Sequence, residues 1–235
     1  MGVFVAPRDG EAPSAIPLVL DPKRGVTYGP HEVPGDRDID GTLWQRWAGT
    51  PTGALRPAEH HPARQRIAME RLLCAVGGGP PDRQPHRGML WLLPAEPPLS
   101  LTRTRPRDVL TATPPTCMFC AHRALITCDA LRRGHLALRV PEAEPVGVRG
   151  TVYSPTGPPV RQQFVAFTDP AIRWVVAEQL VLELRGAVPE NLTVTRRSLP
   201  GRHPRPGSPH RANQAPASQL VPAYSSIADP RNVPL

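Results

Sequence analysis

The chain has 235 residues, of which thirty-three are proline, nineteen are glycine and only 5% are aromatic, so a good part of it is not expected to pack. Its formal charge of +8 invites a nucleic-acid reading, but six arginines from Arg196 onward stand against Asp229 alone, a net of +5. The remainder is nearly balanced, and its one lysine, Lys23, points to GC-rich coding bias rather than to selection for phosphate contacts.

Met1–Pro7 offers neither a basic n-region nor a long apolar core, so no signal peptide is expected there. No apolar stretch approaches the roughly 20 residues that span a bilayer. A cytoplasmic protein without membrane contact is the expectation, and in a reducing compartment four cysteines suggest metal binding or burial rather than disulfides.

Residues 1–60 read as a loop-rich N-terminal region. Ile16–Leu20 and Gly25–Tyr28 are strand candidates about the turn at Asp21-Pro22. Asp36-Arg37-Asp38-Ile39-Asp40-Gly41 copies the opening of a calcium loop, but the twelfth position, where a bidentate Glu belongs, is Trp47. A solvated turn is the better reading. Trp44 and Trp47 are read as core or its cover.

Pro62–Leu73 is expected to be helical, with Ile67, Met69, Leu72 and Leu73 apolar and Arg64, Arg66 and Arg71 on a basic flank. Gly77-Gly78-Gly79-Pro80-Pro81 breaks it, and Gly88–Leu93 follows as a buried strand. Arg103, Arg105 and Arg107 alternate along a proline- and threonine-rich segment. A second helix is expected from Phe119 or Cys120 to Arg133. His135–Val140, Pro145–Tyr153 and Gln162–Phe167 are expected strands. Asp169 and Pro170 then open a predicted helix through Leu184, on which Ile172, Val176, Leu180 and Leu184 recur every four residues. Residues 188–235 read as a disordered, basic, proline-rich tail.

The chemistry gathers at the cysteines. Cys117-Met118-Phe119-Cys120, entering a helix, delivers two sulfurs to one point, and the helix N-terminus favours their negative charge. Cys74 is the expected third ligand of a zinc ion, which wants four tetrahedral N or S donors. Cys128, eight residues beyond Cys120, sits roughly 12 Å further along such a helix and is read as a small buried hydrophobe. His122 points away from the shared ion. His86, in the turn before the Gly88 strand, is the candidate fourth ligand. An occupied zinc site, a decayed site with buried thiols and a thiol–disulfide active site all remain open.

Several phrases carry a resemblance: Arg71-Leu72-Leu73-Cys74, Gly88–Leu93, Pro114-Pro115-Thr116-Cys117, Leu131-Arg132-Arg133-Gly134, Val146–Gly150 and Ala166–Trp174. Across Arg66–Leu184 the chain resembles an uncharacterised family of small actinobacterial proteins with paired Cys-x-x-Cys knuckles of zinc-ribbon or treble-clef character. That resemblance implies a cysteine at position 77, where this chain has glycine, and brings no activity with it. The expectation is therefore an α+β fold. It would have a small treble-clef or zinc-ribbon-like core in residues 61–187, short strands, two to three helices and a disordered C-terminal tail. The expected role is a non-enzymatic zinc-binding, or formerly zinc-binding, module for contact with an unknown protein or nucleic acid. No small-molecule substrate is identified. A zinc enzyme with an open coordination position and a metal-free interaction domain are the alternatives. No His-x-Glu accompanies the cysteines, as a deaminase would need.

Overall fold

The computed structural model describes residues 3–95 and 109–192. Short elements open the chain: β1 (Glu11–Pro13), β2 (Val19–Asp21), β3 (Gly25–Thr27), β4 (Leu43–Trp44) and β5 (Trp47–Gly49). Then come α1 (Pro62–Glu70), β6 (Arg83–Gln84), β7 (Gly88–Pro94), β8 (Val109–Thr111), α2 (Met118–Thr127) and α3 (Asp129–Arg133). The C-terminal half is almost all strand: β9 (His135–Val140), β10 (Glu142–Ser154), β11 (Gly157–Ala166), β12 (Val175–Arg185) and β13 (Val188–Pro189). The fold is α+β, with three helices among the described residues.

Two sheets make the body of the protein. One runs β11-β10-β12-β4, with β8 also on β12; the other runs β13-β9-β7-β6. β7 explains how they stack. Its residues 89–93 are all buried, because side chains alternate across a strand and both faces are covered. Met89, Trp91 and Leu93 meet Val148, Leu180, Leu182 and Leu184 of the larger sheet. Leu90 and Leu92 point the other way, onto Ala121 of α2. The Trp91 indole N–H donates to the Thr113 carbonyl at 2.9 Å, so burying that ring leaves no donor unpaired.

β12 has a gap on its outer edge, between β4 at Val176–Ala177 and β8 at Leu182–Leu184. Gln65 of α1 fills it. Its amide oxygen accepts from Leu180 N–H, and its amide nitrogen donates to the carbonyls of Leu180 and Ala112, all within 2.9 Å. A fully buried glutamine so bonded substitutes for a strand and satisfies backbone groups that would otherwise be orphaned.

The helix expected over 169–184 is absent. Pro170–Trp174 forms a short 3-10 turn, capped by the Asp169 carboxylate as the sequence suggested, and the chain then enters β12. A spacing of four is even, so the recurrence of Val176, Leu180 and Leu184 fits one face of a regular strand as well as of a helix. In the strand a bulge at Glu178 shifts the alternation, so Val175, Ala177, Leu180, Leu182 and Leu184 face the main core while Val176 faces Val26 and Leu43; burial on both faces decides for the strand. The helix expected to Arg133 breaks at Cys128, which is extended (φ −97°, ψ 115°). Strands are also longer than the expected short ones: β10 has 13 residues and β12 has 11. Strands β7 and β9 fall where the sequence indicated, and helix α1 starts at Pro62 as expected but ends at Glu70 rather than Leu73.

The expected boundary at residue 60/61 is crossed by close contacts. β4 pairs with β12, and Val26, Tyr28 and Leu43 pack on Val176. Arg64 grips Glu11 through both carboxylate oxygens, at 2.7 and 2.9 Å, and holds that carboxyl down at about 2. At the other end β13 pairs with β9, so residues 188–189 belong to the sheet; the tail expected beyond them lies, from residue 193, outside the described residues. No helix among the described residues is long and apolar enough to cross a membrane.

Candidate metal centre

The two cysteine turns are built alike. Cys117 caps α2, its sulfur accepting the N–H of Cys120 at 3.5 Å. Cys74 ends the segment leaving α1, and its sulfur accepts the N–H of Gly77 at 3.4 Å. The Cys74 sulfur also takes the N–H of Cys117 at 3.4 Å, which ties one turn to the other. The first turn closes with Gly78 N–H on the Cys74 carbonyl (2.8 Å) and Cys74 N–H on that of Gly79 (2.7 Å). Gly78 is left-handed (φ 69°), and a Cβ there would meet the Phe4 ring at 2.8 Å, so only glycine fits.

Backbone bonds hold the turns side by side. Ala75 N–H reaches the Pro115 carbonyl (2.9 Å), and Asp82 N–H that of Thr116 (3.0 Å). Leu90 N–H bonds the Asp82 carbonyl and Thr116 N–H the Leu90 carbonyl, so β7 is stitched to both flanking segments. From the other side, Phe4 and Val5 donate to the carbonyls of Val76 and Ala75 at 2.9 and 3.1 Å. The cysteines therefore sit on a frame set by the sheet, not on loose loops.

The sulfurs of Cys74, Cys117 and Cys120 all lie within 4.8 Å of one another. Sulfurs on one tetrahedral zinc, with Zn–S of about 2.3 Å, stand roughly 3.8 Å apart, so small side-chain rotations bring the trio onto an ion. Three close cysteines so arranged can hold a metal ion. Cys74 and Cys120 are buried and Cys117 is half-buried, so the group opens on the Cys117 side. Its charge is unevenly shared. Hydrogen bonds from the thiols of Cys117 and then Cys120, with the N–H groups of Gly77 and Cys117, hold the Cys74 thiol far below its usual value. The Cys120 thiol is pushed up by Cys117, then by Cys74 and burial. Cys117 is also raised: its hydrogen bond with Cys120 acts downward, but Cys74 and burial outweigh it.

The remaining candidates lie elsewhere. His86 is exposed in the turn between β6 and β7 and is not part of the sulfur group. Cys128 terminates α2, with its N–H on the Ala124 carbonyl at 2.8 Å, and is half-buried rather than buried. Arg64 and Arg66 are taken up by Glu11 and by Glu70, and Arg66 also lies over the Trp44 ring. Arg103, Arg105 and Arg107 lie outside the described residues. In the stretch that copies the opening of a calcium loop, Asp36 is bound by Arg46 and Val33 N–H, while Asp38 takes backbone N–H groups and the Trp44 indole. Those two carboxylates are already satisfied.

One feature of this neighbourhood has no clear signal in the sequence. Arg139 of β9, wholly buried, pairs with Asp82 and with Glu190 at 2.7 Å, and Glu190 also takes Arg87 at 3.0 Å. These ion pairs link β9, the Asp82 segment beside the cysteines and the residues after β13. Comparison with protein-family models, with curated proteins and with solved structures finds no match for the chain.

Proposed function

We propose that this chain is a non-enzymatic protein-contact module in which one zinc ion on Cys74, Cys117 and Cys120 cross-links the turn after α1 to the start of α2. The observation that carries this reading is the convergence of three sulfurs from two distant segments, each turn already aiming an N–H at a sulfur. Thiolates are soft donors that suit zinc, and a Cys-x-x-Cys turn at a helix start is a common zinc arrangement. The order of turn, β6–β7 hairpin and helix N-terminus supports a treble-clef-like arrangement within the larger sandwich. Glu70, the acid nearest Cys74 in sequence, is paired with Arg66 at 2.7 Å, which favours a structural ion over one serving catalysis.

A protein partner is favoured over nucleic acid by two observations. Arg64 and Arg66 have carboxylate partners. β11 forms the end of its sheet with Gly157–Phe164 exposed throughout, including Val160 and Phe164. The test is metal content per chain, by mass spectrometry, on protein purified without added metal. About one zinc per chain is expected; a value near zero, unrestored by added zinc, overturns the reading. Retention on DNA or RNA at low salt, where phosphate contacts are strongest, would move the partner to nucleic acid.

A further inference from the structure

We propose that this metal centre takes its fourth ligand from outside the chain, as the sulfur of a low-molecular-weight thiol seated beside exposed Gly77; the proposal rests on the zinc reading above. The inference comes from comparing the two turns within one molecule. In Cys117-x-x-Cys120 the fourth residue gives its N–H to the first sulfur at 3.5 Å and adds a sulfur of its own. In Cys74-x-x-Gly77 the fourth residue gives its N–H in the same way, at 3.4 Å, and adds nothing. Residue 77 thus stands where Cys120 stands in its own turn. The missing part is a methylene and a sulfur.

This side of the group faces outward. Gly77 is exposed and Cys117 is half-exposed, while Cys74 and Cys120 form the closed floor of the group. No further His, Cys, Asp or Glu among the described residues joins the three sulfurs. The chain has only four cysteines, and the last, Cys128, lies at the far end of α2. A fourth sulfur must therefore come from another molecule.

A thiol fits the place better than a hard ligand for two reasons. The three donors present are soft and favour a metal that accepts a fourth thiolate. A cysteine in place of exposed Gly77 would present a Cβ and a sulfur, the same atoms that end a small alkyl thiol. Binding is a substitution. The thiol gives its proton to solvent, its sulfur bonds the metal, one solvent ligand departs, and nothing is oxidised or reduced.

The test uses the full chain loaded with cobalt(II) in thiol-free buffer, and reads the thiolate-to-cobalt absorption, which grows with the number of bound sulfurs. Titration with 2-mercaptoethanol is expected to raise that absorption saturably by about one third, from three sulfurs to four, with cobalt still bound after desalting. Gly77→Cys is expected to start at the four-sulfur intensity and not to respond. Failure to take up cobalt overturns the zinc reading and this inference with it. Uptake without a thiol response, a response to imidazole in place of thiol, or loss of cobalt to the thiol overturns the inference alone.

Discussion

Two turns of this protein begin with the same chemistry and end differently. Both start on a cysteine whose sulfur accepts an N–H from three residues on. After Cys120 the chain continues into the ten-residue α2, whose N-terminal pole favours thiolate. After Gly77 it passes through left-handed Gly78, and just before Gly77 the turn is anchored at Ala75 and Val76 by Pro115 and the N-terminal segment. The first turn keeps the form of a two-sulfur knuckle although it has only one sulfur. Backbone bonding is enough to hold the form; the second sulfur decides the chemistry.

The largest test of this comparison removes a sulfur from the complete turn. In Cys120→Ser only two sulfurs remain, and bound zinc should fall from about one per chain to below about 0.1, since two thiolates are too few to hold the ion against solvent. The sandwich core does not include the cysteines, so far-ultraviolet circular dichroism should still report a β-rich fold. If zinc stays bound in Cys120→Ser, the two turns do not form one site.

Adding a sulfur to the incomplete turn should have a smaller effect of opposite sign. Gly77→Cys should tighten zinc by roughly tenfold or more in competition with a chelator, because the fourth donor is then part of the chain. Equal affinity in the two proteins would mean that the wild-type fourth position is already filled by a ligand as good as cysteine.

These turns were also where the sequence was most legible. Cys117-x-x-Cys120 before a helical stretch is a local signal, and the structure realises it locally. Cys74 stands out because a predicted helix runs into it and glycines follow. The sheet was less legible where long-range pairing overrode local pattern. Val176, Leu180 and Leu184 fit helix and strand equally well by spacing, and burial on both faces settles the matter only once the partners β10, β4 and β8 are known. Gln65 looks in the sequence like one polar residue of an amphipathic helix; its role depends on a gap in a strand 115 residues away. Arg139 gives no signal because its partners, Asp82 and Glu190, are distant in sequence and meet it only through the sheet. His86 stands in a turn near the cysteines in sequence, but turn position alone does not aim a side chain, and it is exposed outside the sulfur group.

A third test asks whether the incomplete turn needs its shape to bind metal. Gly78→Ala puts a Cβ on a left-handed residue and into the Phe4 ring. The backbone term alone costs about 1–2 kcal/mol, and the melting temperature should fall by roughly 4 °C or more. Zinc affinity should fall with it, since the Cys74 sulfur and the Gly77 N–H are placed by the same turn. A lowered melting temperature with unchanged zinc affinity would separate the shape of the turn from its role as a ligand.

The smallest effect should come from the fourth cysteine, and its sign is informative. Cys128 ends α2 and is the residue from which α3 begins, yet its side chain makes no capping hydrogen bond to α3. Serine prefers that position because its hydroxyl can accept an N–H of the first turn, a gain of up to about 1 kcal/mol. Cys128→Ser should therefore leave zinc at about one per chain and leave the melting temperature unchanged or raised by roughly 2–4 °C. The same Cys→Ser exchange at Cys120, eight residues earlier, should abolish binding, so chemistry is held constant while position varies. A loss of zinc in Cys128→Ser would require α2 to yield at its last turn and bring that sulfur into the site. In that event the fourth ligand would belong to the chain, and the open position at Gly77 would have no vacancy to fill.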